Sequence, residues 1–256
     1  MLRGVHQPDR LSSILEALTE DGSVEVVALA SRLRVSVATI RRDLELLEAQ
    51  RLLSRTHGGA VPLGVLYELP LRYKGARHRE EKRRIARAAA SRVEDGMVVG
   101  LTGGTTCTEV ARAVIERDRL TVVTNALNIA GELAVRPNLK LVVTGGTART
   151  ESYELVGPTA ERTLGGLNVD VAFIGVDGVD ADAGCTTHHE VEAATNLALI
   201  ARARRVVVVA DASKIGHVAF AQICPVDRVH ELITDSGAPD DPLRGIRKAG
   251  VGIEIV

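Results

Sequence analysis

Two arginines, a threonine and a small residue stand together in Ser36-Val37-Ala38-Thr39-Ile40-Arg41-Arg42-Asp43-Leu44-Glu45-Leu46-Leu47-Glu48. A guanidinium can bond guanine bidentately, and a threonine hydroxyl can reach a base edge or a phosphate. Spacing decides whether that chemistry is available. Val37, Ile40, Leu44 and Leu47 recur at helical intervals and make one apolar face. The opposite face then carries Ala38, Thr39, Arg42 and Glu45, with Arg41 on its flank. Ser36 is a good N-cap for this helix. A short helix presenting these groups away from its core suits the major groove of DNA.

A second set of residues follows strand-like runs. Gly103-Gly104-Thr105-Thr106, Thr124-Asn125, Gly145-Gly146, Asp177-Gly178 and Asp211-Ala212-Ser213-Lys214 each close a β-branched stretch. Glycines let backbone N–H groups approach a phosphate, a helix N-terminus adds a favourable dipole, and threonines donate hydroxyls. Asn125 and Asp177 suit sugar hydroxyls, and Lys214 offers a point charge for an anion. One such loop is weak evidence, because many strand-to-helix turns are purely structural. Five in one sheet make a binding site. His188 and Glu192 would share a helical face at i, i+4, but with no third distant ligand they read as a helix start and not as a metal site. No cofactor is expected.

These groups need elements to position them. Asp9 to Glu20 reads as an amphipathic helix through Leu11, Ile14, Leu15 and Leu18, ended by Asp21-Gly22. Val26 to Leu33 is a second helix, and only Arg34-Val35 separates it from Ser36. Two helices joined by so short a turn make a helix-turn-helix. Leu52 to Thr56 and Ala60-Val61 flank a His57-Gly58-Gly59 turn, a hairpin or wing with Arg55 and His57 placed to touch phosphate. Residues 1–61 are therefore expected to form a winged helix-turn-helix. Pro62, Gly64 and Pro70 mark a linker over 62–77. A basic helix opens near Glu80, and residues 78–256 then alternate strands and helices. Strands are expected at Met97–Leu101, Leu120–Thr124, Leu139–Thr144, Val171–Val176, Arg205–Ala210 and Glu231–Thr234, with helices near Thr108–Arg117 and from Ala126. Continuous β-branched runs with polar C-terminal ends indicate a parallel α/β sheet covered on both faces. Ligands of such sheets bind at the carboxyl ends of the strands.

Composition sets the bounds. A chain of 256 residues with 45% hydrophobic and 25% charged residues builds two cored domains, and 2% aromatics leave the core to aliphatic side chains. Three cysteines without CxxC spacing point to a reducing cytoplasm, and neither to zinc nor to a disulfide framework. No apolar run is long enough for a membrane span, and no signal-peptide pattern is present. Net charge is −1, yet residues 62–92 hold nine Lys/Arg against three Asp/Glu. That local basic excess is compatible with a phosphate footprint, but a solvated helix face at the start of the second domain is the favoured reading.

Ser36 to Leu44, followed by Arg55-Thr56-His57-Gly58-Gly59-Ala60, closely resembles the signature of the DeoR-type bacterial transcriptional regulators. Gly104-Thr105-Thr106, Thr124-Asn125, Gly145-Gly146, Val156-Gly157-Pro158, Gly175 to Gly178 and Ala210 to Gly216 fall in that family's order. The resemblance implies an operator reader joined to an effector domain similar in fold to sugar-phosphate isomerases, hence a phosphorylated sugar or related metabolite as effector. Thr102, Asn196 and Ile215 depart from the family's usual Asp, Lys and Phe, which bears on the effector's identity. Two readings follow: a regulator, most often a repressor, released from double-stranded DNA by its effector, or an active isomerase with a DNA-binding appendage, for which Asp177 and Asp211 are candidate bases. A homodimer or higher oligomer is expected, because one winged helix reads few base pairs.

Overall fold

The computed structural model describes residues 6–63, 70–75 and 77–256, without the side chains of Thr19 and Glu20. The chain divides into two compact units between Arg77 and His78.

In the first unit, α1 (Gln7–Asp21) buries Leu11, Ile14, Leu15 and Leu18 and stops at Gly22, which adopts the left-handed conformation a helix end favours. A two-residue strand β1 (Val24–Glu25) leads into α2 (Val26–Leu33). Arg34, also left-handed, turns the chain toward α3 (Val37–Ala49), whose Ser36 Oγ accepts the Thr39 N–H at 3.1 Å. Ile40, Leu44 and Leu47 are fully buried with Ile14, Leu15 and Leu18. Strands β2 (Leu53–Thr56) and β3 (Gly59–Pro62) pair antiparallel around His57-Gly58, and β1 adds to the far side of β3. That third strand has no periodic signal because it is two residues long. Gly59 is its one trace: a side chain there would collide with the carbonyl of Val24.

Part of the expected linker is ordered structure. Residues 70–77 belong to the first unit, with a helical turn α4 (Leu71–Lys74) whose Tyr73 joins the N-terminal core. Ser12 Oγ donates to the Tyr73 carbonyl, the Tyr73 hydroxyl bonds Gln50, and Arg77 Nε lies 2.9 Å from Glu16. One turn is too short to show a helical period, so the prolines alone were visible there. Gly64 lies outside the described residues.

The second unit opens with α5 (Arg79–Ala90) and is built on seven parallel strands: β4 (Val98–Leu101), β5 (Thr121–Thr124), β6 (Lys140–Val143), β9 (Val169–Ile174), β12 (Ala203–Val209), β14 (Glu231–Thr234) and β15 (Gly252–Ile255). Their order is β15-β14-β12-β9-β4-β5-β6. Alternation sorts the core into two faces. Val171, Phe173, Val207, Val209 and Ile233 pack with α5, α6 (Thr105–Ala113) and α7 (Leu127–Leu133). Ala172, Ile174, Val206, Val208 and Leu232 pack with α8 (Pro158–Gly165), α9 (Glu190–Ile200) and α10 (Asp240–Lys248). Both faces are covered, which is why the strands read as unbroken apolar runs.

The chain starts at β4, adds β5 and β6 on one side, then crosses to β9 on the other. Strand order therefore reverses between β4 and β9, the place where sheets of this kind open a crevice at their carboxyl ends. Three features depart from expectation. Helix α6 starts at Thr105, directly after Gly104, rather than near Thr108. Edge strand β15 is only half buried, so its apolar signal is weak. Short pieces β10 (Gly178–Asp180), β11 (Gly184–Thr187) and β13 (Ala221–Cys224) form a separate antiparallel sheet, and β7 (Thr147–Ala148) pairs with β8 (Leu155–Val156). Glycine and threonine at these strands read as turns. The small sheet also brings Cys185 opposite Cys224, so two cysteines distant in sequence are neighbours in space.

Candidate functional site

In the first unit, α3 presents Ala38, Arg41, Arg42 and Glu45 to solvent with Ser36 exposed at its start, while Thr39 is half-buried. The Ser36 and Thr39 hydroxyls bond each other at 2.9 Å. Arg41 and Arg42 form no ion pair among the described residues. His57 is exposed at the wing tip.

Arg55 differs from the expectation of a free phosphate donor. Its Nη1 lies 2.8 Å from Glu45 and its Nε 2.8 Å from Glu48, and its backbone N–H also donates to Glu48 at 2.9 Å. These bonds hold the Glu48 carboxyl below its ordinary range and fasten the wing to the recognition helix. Arg55 of the wing is thus neutralised by two carboxylates of α3, Glu45 and Glu48.

Asp43 is the residue that sequence reasoning passed over. It is 1% exposed and accepts two bonds from Arg10 of α1, Nη2 at 2.9 Å and Nε to the second oxygen. Asp43 sits three residues after Ile40 on the buried face, and a carboxylate there needs a partner. Its position in an Arg-Arg-Asp run disguised it as surface charge.

In the second unit the candidate residues all lie at the carboxyl edge of the sheet, yet they do different work. Thr124 Oγ1 donates to the Leu101 carbonyl at 2.8 Å and accepts from Ala126 N at 3.0 Å, so its hydroxyl is spent on framework. Gly146 and Gly178 are packing glycines, tight against Val156 and His217. Gly145 and Gly146 follow β6, two strands away from the β4/β9 crevice. Asn125 is buried, and neither side-chain amide atom has a hydrogen-bond partner among the described residues.

The strand ends beside β4, β9 and β12 are lined by charge. Gly104 caps α6 with φ +107°, a conformation only glycine adopts easily, leaving the N-terminal backbone at Thr105 and Thr106 to face the strand ends. Beside it the Gly103 N–H donates to the buried carboxylate of Glu154. After β9, Asp177 meets Lys214 Nζ at 3.5 Å, Thr187 Oγ1 at 3.2 Å and His188 Nε2 at 3.9 Å. Thr187 lies closer to Glu192, at 2.8 Å, and Glu192 pairs with Arg149. After β12, Asp211 accepts from Ser213 N at 3.1 Å and lies 3.9 Å from Lys82 Nζ. Burial pushes the Asp211 carboxyl up, but the Ser213 hydroxyl and the charges of Lys82, His78 and Lys214 together hold it below its usual range.

Of the residues singled out in the sequence, Asp177, Asp211 and Lys214 come together at these strand ends, and Lys82, Arg149, Glu154 and Glu192, which the sequence does not single out as binding residues, join them there. Lys82 belongs to the basic stretch that opens α5, yet it is 4% exposed and its Nζ lies 3.9 Å from Asp211, just after β12. Its spacing to Ile85 and Ala89 marks the buried side. The other three sit on a hairpin and a helix start whose approach to the sheet is non-local. His188 is corrected too: α9 begins at Glu190 with His189 as its N-cap, so His188 and Glu192 do not share a helical face. Departing residue Thr102 ties β4 to β9, its Oγ1 accepting from Gly175 N at 2.9 Å.

Among the described residues no helix is long and apolar enough to cross a membrane. Residues 10–63 match the DeoR-like helix-turn-helix domain and residues 77–236 match the DeoR C terminal sensor domain. The HTH-type transcriptional regulator GlpR of Haloferax volcanii is 38% identical over 246 residues, 96% of each chain. The glycerol-3-phosphate regulon repressor of Escherichia coli K12 is 30% identical over 97% of this chain and 99% of its own. Among solved structures, ribose 5-phosphate isomerase A of Methanocaldococcus jannaschii covers 54% of each chain at 23% identity, with a TM-score of 0.39, too loose a likeness to carry a reading of function. Both of these relatives align over nearly the whole chain and are named as regulators, which favours the regulator reading over the isomerase one. With both domain models matched in order along one chain, the protein belongs to the DeoR family of DNA-binding transcriptional regulators.

Proposed function

We propose that the protein is a repressor that grips a repeated operator as a homodimer or higher oligomer and is released by a phosphorylated sugar or related metabolite. In this reading α3 lies in the major groove with Ala38, Thr39, Arg41 and Arg42 toward the bases, Ser36 toward the backbone, and His57 on flanking phosphate. Arg55 and Glu45 brace the wing and are freed for DNA only by exchanging their mutual bonds.

One observation carries the effector half: lysines from two different elements, Lys214 and Lys82, meet Asp177 and Asp211 at the ends of the neighbouring strands β9 and β12. Ammonium and carboxylate groups side by side serve a ligand with an anion at one end and hydroxyls at the other. The phosphate is assigned to Thr105-Thr106 at the start of α6 with Lys214, and the hydroxyls to Asp177 and Asn125. A relative of nearly equal length is named for a glycerol-3-phosphate regulon, which supports a phosphorylated polyol or sugar. Coupling to DNA runs through the covalent path at Arg77 and His78, where the two units join.

Calorimetry tests the site. Ribose phosphate, glucosamine phosphate and glycerol phosphate are titrated, each beside its unphosphorylated parent, into the parent protein and into Thr105→Ala and Lys214→Ala. At least one phosphate ester is expected to bind, its free parent far more weakly. Each variant loses about tenfold or more in affinity, the size of one hydrogen bond to a charged group. Equal binding of free and phosphorylated ligand, or parental affinity in both variants, refutes the assignment.

A further inference from the structure

Cys185 and Cys224 lie far apart in the chain, but the antiparallel register of β11 and β13 sets them directly opposite each other. Opposed residues in such a pair have Cα atoms about 4.5–5.5 Å apart, inside the roughly 4.4–6.8 Å that a disulfide spans. Their side chains leave the same face of the sheet. The neighbouring residue shows how closely the strands approach: Gly184, at φ +72°, could not carry a Cβ without striking the Cys224 carbonyl. A bulge follows between Cys185 and Thr186.

Both thiols are free and buried. The neighbouring Cys185 thiol, and after it Arg228, hold the Cys224 thiol below its ordinary value against burial and Asp227. The same neighbour, with burial, raises Cys185. Of the two, Cys224 is the thiol whose surroundings favour the thiolate. Cys107 supplies a built-in contrast: burial pushes it to about 12, and its sulfur faces Thr102 and the Phe173 carbonyl instead of another cysteine.

We infer that Cys185 and Cys224 form a redox-active dithiol that closes to a cross-strand disulfide when the protein meets a peroxide. The Cys224 thiolate attacks one peroxide oxygen, the O–O bond breaks, and the sulfur becomes a sulfenic acid as one water leaves. The Cys185 sulfur then attacks that sulfenic sulfur, the S–O bond breaks, and a second water departs with the Cys185 proton. Two thiols and one hydrogen peroxide give one disulfide and two waters. Access requires a local opening of β13, which is the edge strand of the small sheet but packs Ala221, Ile223 and Cys224 into the core beneath the seven-stranded sheet. The bond has a place to act, since β11 runs on to Thr187, which holds Asp177 and Glu192.

The test uses the whole unmodified chain. It is treated with hydrogen peroxide while folded, then denatured, alkylated, digested without reductant and analysed by mass spectrometry. A Cys185–Cys224 linked peptide that has lost two hydrogens is expected, reversed by dithiothreitol, with Cys107 still alkylated. In Cys185→Ala and in Cys224→Ala, the same treatment should give no disulfide within the small sheet. Full alkylation of both cysteines after treatment of the folded protein overturns the inference. So does a link that forms only after unfolding, or one that joins Cys107 as often.

Discussion

Arg42→Ala is expected to abolish specific operator binding while leaving the fold intact. The side chain is exposed opposite Ile40, Leu44 and Leu47, so its loss removes no core packing. One bidentate base contact is worth about 1–3 kcal/mol per half-site, and an oligomer on two half-sites loses it twice. Affinity for unrelated DNA should fall much less, since the phosphate contacts remain. Measured at matched salt, an operator affinity equal to the parent's would show that α3 has been assigned the wrong role.

Arg10→Met carries the largest expected cost in stability. Asp43 is 1% exposed, and its two recorded bonds both come from Arg10. Removing one partner of a buried pair costs about 3–5 kcal/mol, because a charge is left without compensation inside the protein. Methionine keeps much of the arginine stem's volume, which separates this electrostatic loss from a packing loss. The double variant Arg10→Met, Asp43→Leu should recover most of the deficit, as apolar replacement of a whole pair is often neutral or better. Amide hydrogen exchange along α3 reports the result for this unit. Unchanged protection in the single variant, or no recovery in the double, would show that the pair does not hold α1 to α3.

These two residues show what was legible in the sequence and what was not. Arg42 could be placed because its neighbours repeat at helical spacing and Ser36 marks the start, both of them local signals. Asp43 was hidden because its partner lies on another helix. The same division runs through the second unit. Strands β4, β5, β9, β12 and β14 announce themselves as β-branched runs because each is buried on both faces, and their polar ends locate the crevice. Lys82, Arg149, Glu154 and Glu192 reach that crevice from a helix, a hairpin and a helix start, and nothing in their own segments records the approach. Cys185 and Cys224 are the same case: a register between two four-residue strands is a long-range property. Short elements such as β1 and α4 escaped because two or four residues cannot display a period.

The central claim is that a ligand at the strand ends controls the grip of α3 on DNA, and one titration addresses it most directly. Operator DNA recovered from cells is labelled, and its affinity for the whole chain is followed by anisotropy as the phosphate ester identified by calorimetry is added. Operator affinity is expected to fall by about 5–150-fold at saturation, a coupling of roughly 1–3 kcal/mol, and operator should weaken ester binding by the same factor. An operator affinity unchanged at ester concentrations where calorimetry shows the site full would contradict the account.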